Sequence, residues 1–179
     1  MASRACLLLL MGGCIMPPAI DEGVTLSNQA PRILPESLTP DPANLPKTIS
    51  VVCEPGYMFL ARVRDPDPLD TIYWRTFVDY SQMSLAEKLG SRIDEELPST
   101  PPNPEVSRLV TFPVFGSDFG GDFSVPHVLD LLVSDRPFTN DEQDPVGRKV
   151  EEDGLTDIYT WAIKLIPTSD ENCLAGGGG

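Results

Sequence analysis

The sequence predicts an all-β protein, an antiparallel β-sandwich, because it is rich in proline and its apolar residues recur at every second position in several short segments. The chain has 179 residues and 19 prolines. Proline is confined to strand edges, turns and extended loops, so this density argues against a helical bundle. At least six segments combine period-two patterning with turn signals between them, as the strands of a sandwich do. A chain of this length is expected to form one domain.

Four strands are predicted in the first half of the domain. Pro31–Pro46 carries five prolines and indicates an edge strand followed by a loop. Ile49–Cys53 is a β-branched run, and Phe59–Arg64 places apolar side chains at alternate positions, which is a strand signal. The turn Asp65–Asp70 leads to Thr71–Tyr80, whose aromatic and β-branched residues make it the strongest strand candidate.

The segment Ser84–Leu97 interrupts the strand pattern. Leu85, Leu89 and Ile93 are spaced four residues apart, as on one face of a helix, so a short helical insert is predicted there. Gly90 lies in the middle of this segment and lowers its helix propensity. The predicted fold is therefore a sandwich with one short helical insert.

The second half of the domain contains further strands separated by loops. Val106–Phe115 is predicted to be a strand, and Gly116–Ser124 a glycine-containing turn or loop. Leu155–Ile166 alternates apolar and polar residues and is predicted to be the last strand. Before it, residues 137–154 form an acidic connection that is longer than most loops in compact domains. Connections of this length are usually functional or disordered, and we expect this one to be disordered.

The segment His127–Ser134 is predicted to be the strand before that loop. Leu129 and Leu131 are expected to point toward the core, whereas Asp130 and Ser134 are expected to point outward. This pattern is typical of a strand with one face on the core and the other in water.

The first fourteen residues, MASRACLLLLMGGC, have the order of an export signal. Arg4 supplies a positive charge, an apolar run extends from Ala5 to Met11, and two glycines precede Cys14. A charged start, a short apolar region and small residues at the cleavage site are what export and processing require. The run is too short to span a membrane, because a membrane-spanning helix needs about 20 apolar residues. Residues 1–13 are therefore predicted to be a signal peptide.

Small residues directly before a cysteine resemble the lipobox of bacterial lipoproteins. The resemblance implies that Cys14 is lipidated and becomes the first residue of the mature protein, with residues 14–28 as a tether. It also implies a lipid-anchored protein of the bacterial cell envelope, on the periplasmic side or at the cell surface. An ordinary cleaved signal or a wrongly chosen start codon are the alternatives.

Two of the four cysteines are accounted for by this N-terminal segment. If Cys6 belongs to the signal peptide and Cys14 carries lipid, Cys53 and Cys173 remain as an even pair in an exported chain, which is consistent with one disulfide. Two unrelated thiols are the alternative. The chain contains no Cys-x-x-Cys spacing and a single histidine, His127, which disfavours a zinc site.

Three segments resemble the immunoglobulin-like modules of bacterial surface proteins, similar to the polycystic-kidney-disease and cadherin-like families. Phe59–Trp74 resembles their second strand, an acidic turn and a third strand with a core tryptophan, and His127–Asp135 and Tyr159–Ile166 resemble their last two strands. The resemblance implies an immunoglobulin-like antiparallel β-sandwich over residues 29–168. Residues 169–179, which end in glycines, are assigned to a C-terminal tail.

The acidic turn supplies the candidate metal ligands Asp65, Asp67 and Asp70. Three carboxylates within six residues offer the hard oxygen ligands that calcium prefers, and the cadherin-like resemblance implies calcium because related turns bind it in that family. A surface turn shaped by its prolines, with solvated carboxylates, is the alternative.

The charge balance limits the classes of partner. The chain has 13 Lys and Arg against 27 Asp and Glu, for a net charge of −14. Proteins that bind nucleic acid neutralise phosphates with clustered basic residues, and Arg148-Lys149 is the longest basic run here. Nucleic acid is therefore not expected as a partner, and no cofactor is expected.

No segment of the sequence marks an active site. His127 follows Pro126 at a position expected to be exposed and lies in no triad motif, and the pairs Glu95-Glu96 and Glu151-Glu152 are typical of solvated faces. We therefore expect a non-enzymatic binding or structural module, held at the membrane by its lipid, with an envelope protein or a glycan as partner. A small envelope hydrolase or carbohydrate-active domain that uses paired carboxylates is the alternative.

Overall fold

The computed structural model describes the chain from residue 27 to residue 167, with gaps. The described residues are 27–41, 43, 47–51, 56–67, 69–82, 94–97, 107–119, 124–139 and 147–167. The predicted signal peptide, Cys14, Cys53, Cys173 and the C-terminal tail lie outside these residues. Asn28, which the sequence assigned to the tether, is bonded to the domain, since its Nδ2 donates to Asp135 Oδ2 over 2.6 Å.

Eight strands of the described chain form two sheets. They are β1 (Arg32–Thr39), β2 (Lys47–Val51), β3 (Tyr57–Arg64), β4 (Ile72–Val78), β5 (Asp94–Leu97), β6 (Arg108–Val114), β7 (Pro126–Ser134) and β8 (Thr156–Pro167). One sheet has the order β1-β3-β6 and the other the order β2-β8-β7-β4-β5. All neighbouring strands are antiparallel except β2 and β8, which run parallel. The predicted all-β sandwich is confirmed, and β1 is the edge strand that its prolines predicted.

The core lies between the two sheets because their strands turn alternate apolar residues toward each other. Phe59, Ala61 and Val63 of β3 are fully buried, and Trp74 and Trp161 face them from the other sheet with exposures of 1% and 0%. Fully burying one large apolar side chain contributes about 1.5–3 kcal/mol. The alternation predicted for these strands is thus confirmed, and it is the main source of stability.

Aromatic rings fill the centre of the sandwich. The Phe59 ring lies 5.5 Å from Phe112 and 5.2 Å from Trp161 between ring centroids, and Trp74 lies 5.5 Å from Phe112. Stacked and edge-to-face pairs of this kind add about 0.5–1.5 kcal/mol beyond area burial. Trp161 Nε1 also donates to the Pro40 carbonyl over 3.1 Å, which attaches the crossing from β1 to β2 to the core.

The helical insert predicted over Ser84–Leu97 is wrong for its last four residues. Asp94–Leu97 is strand β5, which pairs with β4 so that Leu97 lies opposite Ile72. The periodicity of three apolar residues is a weak signal, and an available edge of a sheet supplies backbone hydrogen bonds that override it. Residues 84–93 lie outside the described part of the chain.

The outward side of β7 is also not as predicted. Asp130 and Ser134, expected to be solvated, are 7% and 0% exposed. The cause is the loop after β7, which returns over the sheet: Thr139 N donates to the Lys149 carbonyl over 2.8 Å. The expectation of a disordered connection is therefore wrong for residues 137–139 and 147–154, while residues 140–146 lie outside the described part.

Within the described residues, no helix has the length and apolar character needed to cross a membrane.

Candidate functional site

The acidic turn between β3 and β4 buries one of its three carboxylates. Asp65 is 3% exposed, and its Oδ1 accepts a hydrogen bond from the Asp67 backbone N–H over 2.9 Å. Its Oδ2 is buried and has no hydrogen-bond partner among the residues that the structure describes. Burial raises the pKa of Asp65 from 3.8 to about 6; Asp70 adds to the rise, whereas the Asp67 N–H and Arg108 oppose it.

The other two carboxylates of the turn are directed at different partners. Asp67 Oδ2 accepts from the Gln29 backbone N–H over 2.9 Å, and Asp70 Oδ2 accepts from Arg136 Nη1 over 3.1 Å. Among the described side chains, no three His, Cys, Asp or Glu are placed to hold a metal ion. The described contacts of Asp67 and Asp70 tie the entering chain and Arg136 to this end of the sandwich. Calcium binding by Asp65, Asp67 and Asp70 stays a prediction.

Arg108, the first residue of β6, lies beside β3 at the same end of the sandwich. It is 7% exposed, and its Nη1 donates to the Asp70 carbonyl over 2.6 Å. Burial lowers the pKa of Arg108, and the charges of Asp65 and Asp70 partly offset this effect. The buried guanidinium thus holds this end of the sandwich together through its hydrogen bonds to backbone carbonyls and its attraction to nearby carboxylates.

His127 lies at the opposite end of the sandwich and is paired with Asp79. Its Nδ1 is 2.6 Å from Asp79 Oδ2, and Asp79 Oδ1 accepts from the Val128 N–H over 2.8 Å. The expected exposure of His127 is wrong, since only 3% of it is exposed and the Phe119 ring lies 5.0 Å away. An aspartate that orients a histidine is half of a nucleophilic site, but here the pair joins the end of β4 to the start of β7.

The outer surface of β4 and β7 is covered by the returning loop. We call it the covered face, and its central side chains are Arg75, Phe77, Asp130 and Leu132, which are 3%, 0%, 7% and 5% exposed. Strand pairing places Phe77 opposite Asp130 and Arg75 opposite Leu132. These residues form a second buried layer outside the sandwich core.

Arg75 of the covered face and Arg148 of the loop that covers it are both surrounded by partners. Arg75 Nη1 donates to the Gly147 carbonyl over 2.6 Å, and its guanidinium lies 4.7 Å from the Phe138 ring centroid. Arg148, from the loop, forms an ion pair with Asp130, and its guanidinium lies 3.7 Å from the Tyr80 ring centroid. These contacts use the charges to hold the loop on the sheet.

The outer surface of the three-stranded sheet has a different character. We call it the arginine face; its basic and large apolar side chains are Arg32, Leu34, Met58, Leu60, Arg62, Arg64 and Leu109, and Thr111 and Pro113 of β6 complete it. Strand pairing establishes that these side chains share one face, because Arg32 lies opposite Arg64 and Leu34 lies opposite Arg62, which in turn lies opposite Leu109. The core side of the same strands carries Phe59, Ala61 and Val63, so the alternation that fills the core also creates this face.

Two arginines of this face meet directly across adjacent strands. Arg32 and Arg64 are register partners, and both are exposed. Within the described part of the chain, neither guanidinium has a hydrogen bond or an ion pair, whereas Arg62 Nη1 donates to Ser107 Oγ over 3.3 Å. Like charges directly opposite each other in a sheet are destabilising, so the fold carries this pair at a small cost.

Apolar side chains extend the arginine face along the strands. Met58 and Leu109 are 44% and 46% exposed, and Leu34 and Leu60 are half-buried. The strands β1, β3 and β6 contain a single acidic residue, Glu36, in a chain whose net charge is −14. Charge and apolar area together make this face suited to an anionic partner that also accepts apolar contact.

The arginine face was not predicted, although part of its signal is visible in the sequence. Arg62 and Arg64 occupy the alternate positions of Phe59–Arg64 that do not point to the core. The outward-pointing positions of this segment therefore already show two basic residues on one face of a strand. Their meeting with Arg32 depends on the register between β1 and β3, which one sequence does not give.

Comparison with known proteins identifies no relative of this chain. No family model, curated protein or solved structure matches it.

Proposed function

We propose that this chain is a lipid-anchored module of the bacterial cell envelope, that its sandwich is immunoglobulin-like, and that it acts by binding rather than by catalysis. The observation that carries the binding role is the arginine face, an exposed surface with two cationic groups that no described residue neutralises.

The strand order supports an immunoglobulin-like sandwich. In such domains the first, second and fifth strands lie in one sheet and the last, penultimate and third strands lie in the other. The sheets β1-β3-β6 and β2-β8-β7-β4-β5 place β1, β3 and β6 in one sheet and β4, β7 and β8 in the other. This is the same partition when β2, which pairs in parallel with β8, and β5, which lies beside β4, are both additional edge strands. Trp74 on β4 is buried to 1% exposure and corresponds to the core tryptophan of the third strand.

The most unusual titratable groups serve the fold, which favours binding over the hydrolase alternative. Asp65 has a pKa raised to about 6, as a general acid would need, but it is 3% exposed and bonded within its own turn. His127 is equally buried and bonded to Asp79. Glu151 and Glu152 are exposed on the loop, as solvated carboxylates are.

Site-specific photo-crosslinking in the intact envelope tests the binding role. A photoreactive residue replaces Leu109 on the arginine face or, as a matched control, Ile158 on the other sheet, since the two side chains are 46% and 48% exposed. We expect adducts, of lipid or protein, from position 109 and few from position 158. Equal adduct formation at the two positions contradicts a binding role for the arginine face.

Mass spectrometry of the envelope fraction tests the anchor. The expected mature protein begins at Cys14 and carries acyl chains. A mature form that begins after Cys14 and lacks acyl groups contradicts the anchored part of the proposal.

A further inference from the structure

We propose that the arginine face docks on the anionic headgroup surface of a phospholipid membrane, so that the domain lies with its three-stranded sheet toward the bilayer and its covered face away from it. This inference rests on the proposed function and identifies the partner of the same surface.

Arg32 and Arg64 together are suited to bind a phosphate group. Arg32 and Arg64 face each other without a described counter-charge, and guanidinium groups bind phosphate oxygens through two parallel hydrogen bonds. A phosphate placed at this pair would replace a repulsion between like charges with two attractions. Anionic lipid surfaces attract each nearby arginine by an amount equivalent to about a fivefold change in partition coefficient.

The shape of the face is the second argument. Three adjacent strands present an area about 10 Å wide and about 26 Å long, from the usual strand spacing and rise. Met58 and Leu109 project from it with nearly half of their surface exposed. Basic side chains interleaved with apolar ones suit the boundary between headgroups and acyl chains, where arginine stems lie along apolar surface while their charges remain in water.

The path of the chain is the third argument. Gln29 and Asn28 are held to the domain through Asp67 and Asp135, and β1 begins shortly afterwards with Arg32 of the arginine face. Fourteen residues separate Cys14 from Asn28, which span at most about 50 Å. A lipid at Cys14 therefore holds the domain within about 50 Å of the membrane, and the chain enters the domain at the edge that bears Arg32.

The charge distribution favours a lipid surface over an acidic protein. The net charge of −14 repels an anionic surface in most orientations, so the domain would approach it only with the arginine face. A binding site for an acidic segment would instead be expected to supply a groove with directed donors, whereas these arginines lie on an open sheet face.

Arginine footprinting of the full chain on vesicles tests the inference. The protein, in the form in which it matures, is reconstituted on phosphatidylcholine vesicles or on equimolar phosphatidylcholine and phosphatidylglycerol vesicles. It is then labelled with phenylglyoxal and analysed by peptide mass spectrometry. We expect the labelling of Arg62 and Arg64 to be at least about fivefold slower on the anionic vesicles, and 0.5 M salt to abolish the difference.

Two double variants provide the matched comparison. Arg32→Gln with Arg64→Gln removes two charges from the arginine face and is expected to abolish the protection of Arg62. Lys149→Gln with Lys164→Gln removes the same charge from exposed residues elsewhere and is expected to retain that protection. Equal loss of protection in both variants overturns a face-specific contact.

The outcomes separate this inference from the proposed function. Protein that floats with both kinds of vesicle but shows equal labelling of Arg62 and Arg64 overturns membrane docking and leaves the anchored module in place. Protection that appears on both kinds of vesicle only when envelope protein is added also overturns it, in favour of an acidic protein partner. Protein that floats with neither kind overturns both proposals.

Discussion

The two sheets of this sandwich treat their outward arginines in opposite ways. On the covered face, Arg75 is 3% exposed and bonded to the Gly147 carbonyl, and Arg148 is paired with Asp130 beside the Tyr80 ring. On the arginine face, Arg32 and Arg64 lie opposite each other and remain exposed. Arginine thus stabilises the fold at the five-stranded sheet, whereas at the three-stranded sheet it stays exposed and available to a partner.

The difference follows from desolvation. A guanidinium that leaves water must recover its lost hydration through hydrogen bonds, carboxylates or aromatic rings, and the returning loop supplies all three. An exposed guanidinium has no such requirement, and its neighbours are set by strand register alone. Arginines that stabilise the protein and arginines that are available to a partner can therefore be distinguished by substitution.

The largest expected effect comes from Arg75→Met. This change keeps the side-chain stem but removes the hydrogen bonds to the Gly147 and Thr139 carbonyls, and the first of these is a buried bond. We expect the free energy of unfolding to fall by about 2–3 kcal/mol in urea denaturation. Arg64→Met is the matched variant on the arginine face, with an expected change within about 0.5 kcal/mol. Similar losses in the two variants would erase the distinction between the faces.

The next effect concerns Asp65, at the end that joins the two sheets. Because the folded state holds its proton up to a pKa of about 6 rather than 3.8, the free energy of unfolding falls as pH rises from about 4 to about 6. Above about pH 6 the free energy of unfolding has fallen by at most about 3 kcal/mol. Asp65→Asn is expected to raise stability by about 2 kcal/mol at pH 7.5 and to change it little at pH 4. Denaturation curves at both pH values, with Glu151→Gln as an exposed control, check this sign, and a destabilised variant at pH 7.5 would refute it.

A smaller effect is expected at the loop that covers the five-stranded sheet. Gly147 has a φ of +69°, and an added Cβ would meet Arg75 and Phe77 at ordinary contact distances of 3.5 Å. Backbone conformation rather than space should set the cost, so Gly147→Ala is expected to lose about 1 kcal/mol. Gly147→Asn should lose less, because asparagine tolerates this conformation. Equal thermal destabilisation by the two substitutions would point to packing instead.

The smallest effect is expected on the arginine face and has the opposite sign. Arg64→Glu converts the repulsion with Arg32 into an attraction, so we expect a gain of about 0.5 kcal/mol in stability. Arg62→Glu lies opposite Leu34 and Leu109 and should show no such gain. Thermal unfolding of both variants measures the difference. A more stable protein that docks more weakly would show that the fold retains this pair at its own expense.

The core residues could be predicted from the sequence in strands whose own apolar alternation shows which side chains point inward. In β3 and β8 the apolar alternation identified the core residues, including Phe59 and Trp161, because each inward side chain contributes by burial whatever strand lies beside it. The edge position of β1 followed from its prolines for an equally local reason.

Secondary structure and burial could not be predicted from the sequence where they depend on contacts with distant segments of the chain. Asp94–Leu97 becomes β5 because it pairs with β4, and His127 is buried because Phe119 and Asp79 approach it. Asp130 looks solvated in its own strand and is enclosed by a loop that begins several residues later. Each case depends on contacts between residues that local periodicity does not connect.

The parallel pairing of β2 with β8 determines how this domain would bear a mechanical load. Lys47 lies opposite Ile163 and Val51 lies opposite Pro167, so the start of β2 and the end of β8 are at opposite ends of one ladder. A force applied between the start of β2 and the end of β8 pulls these strands past each other, and the hydrogen bonds of the ladder must fail together rather than one after another. This ladder therefore resists shear along the strands better than it would resist peeling from one end.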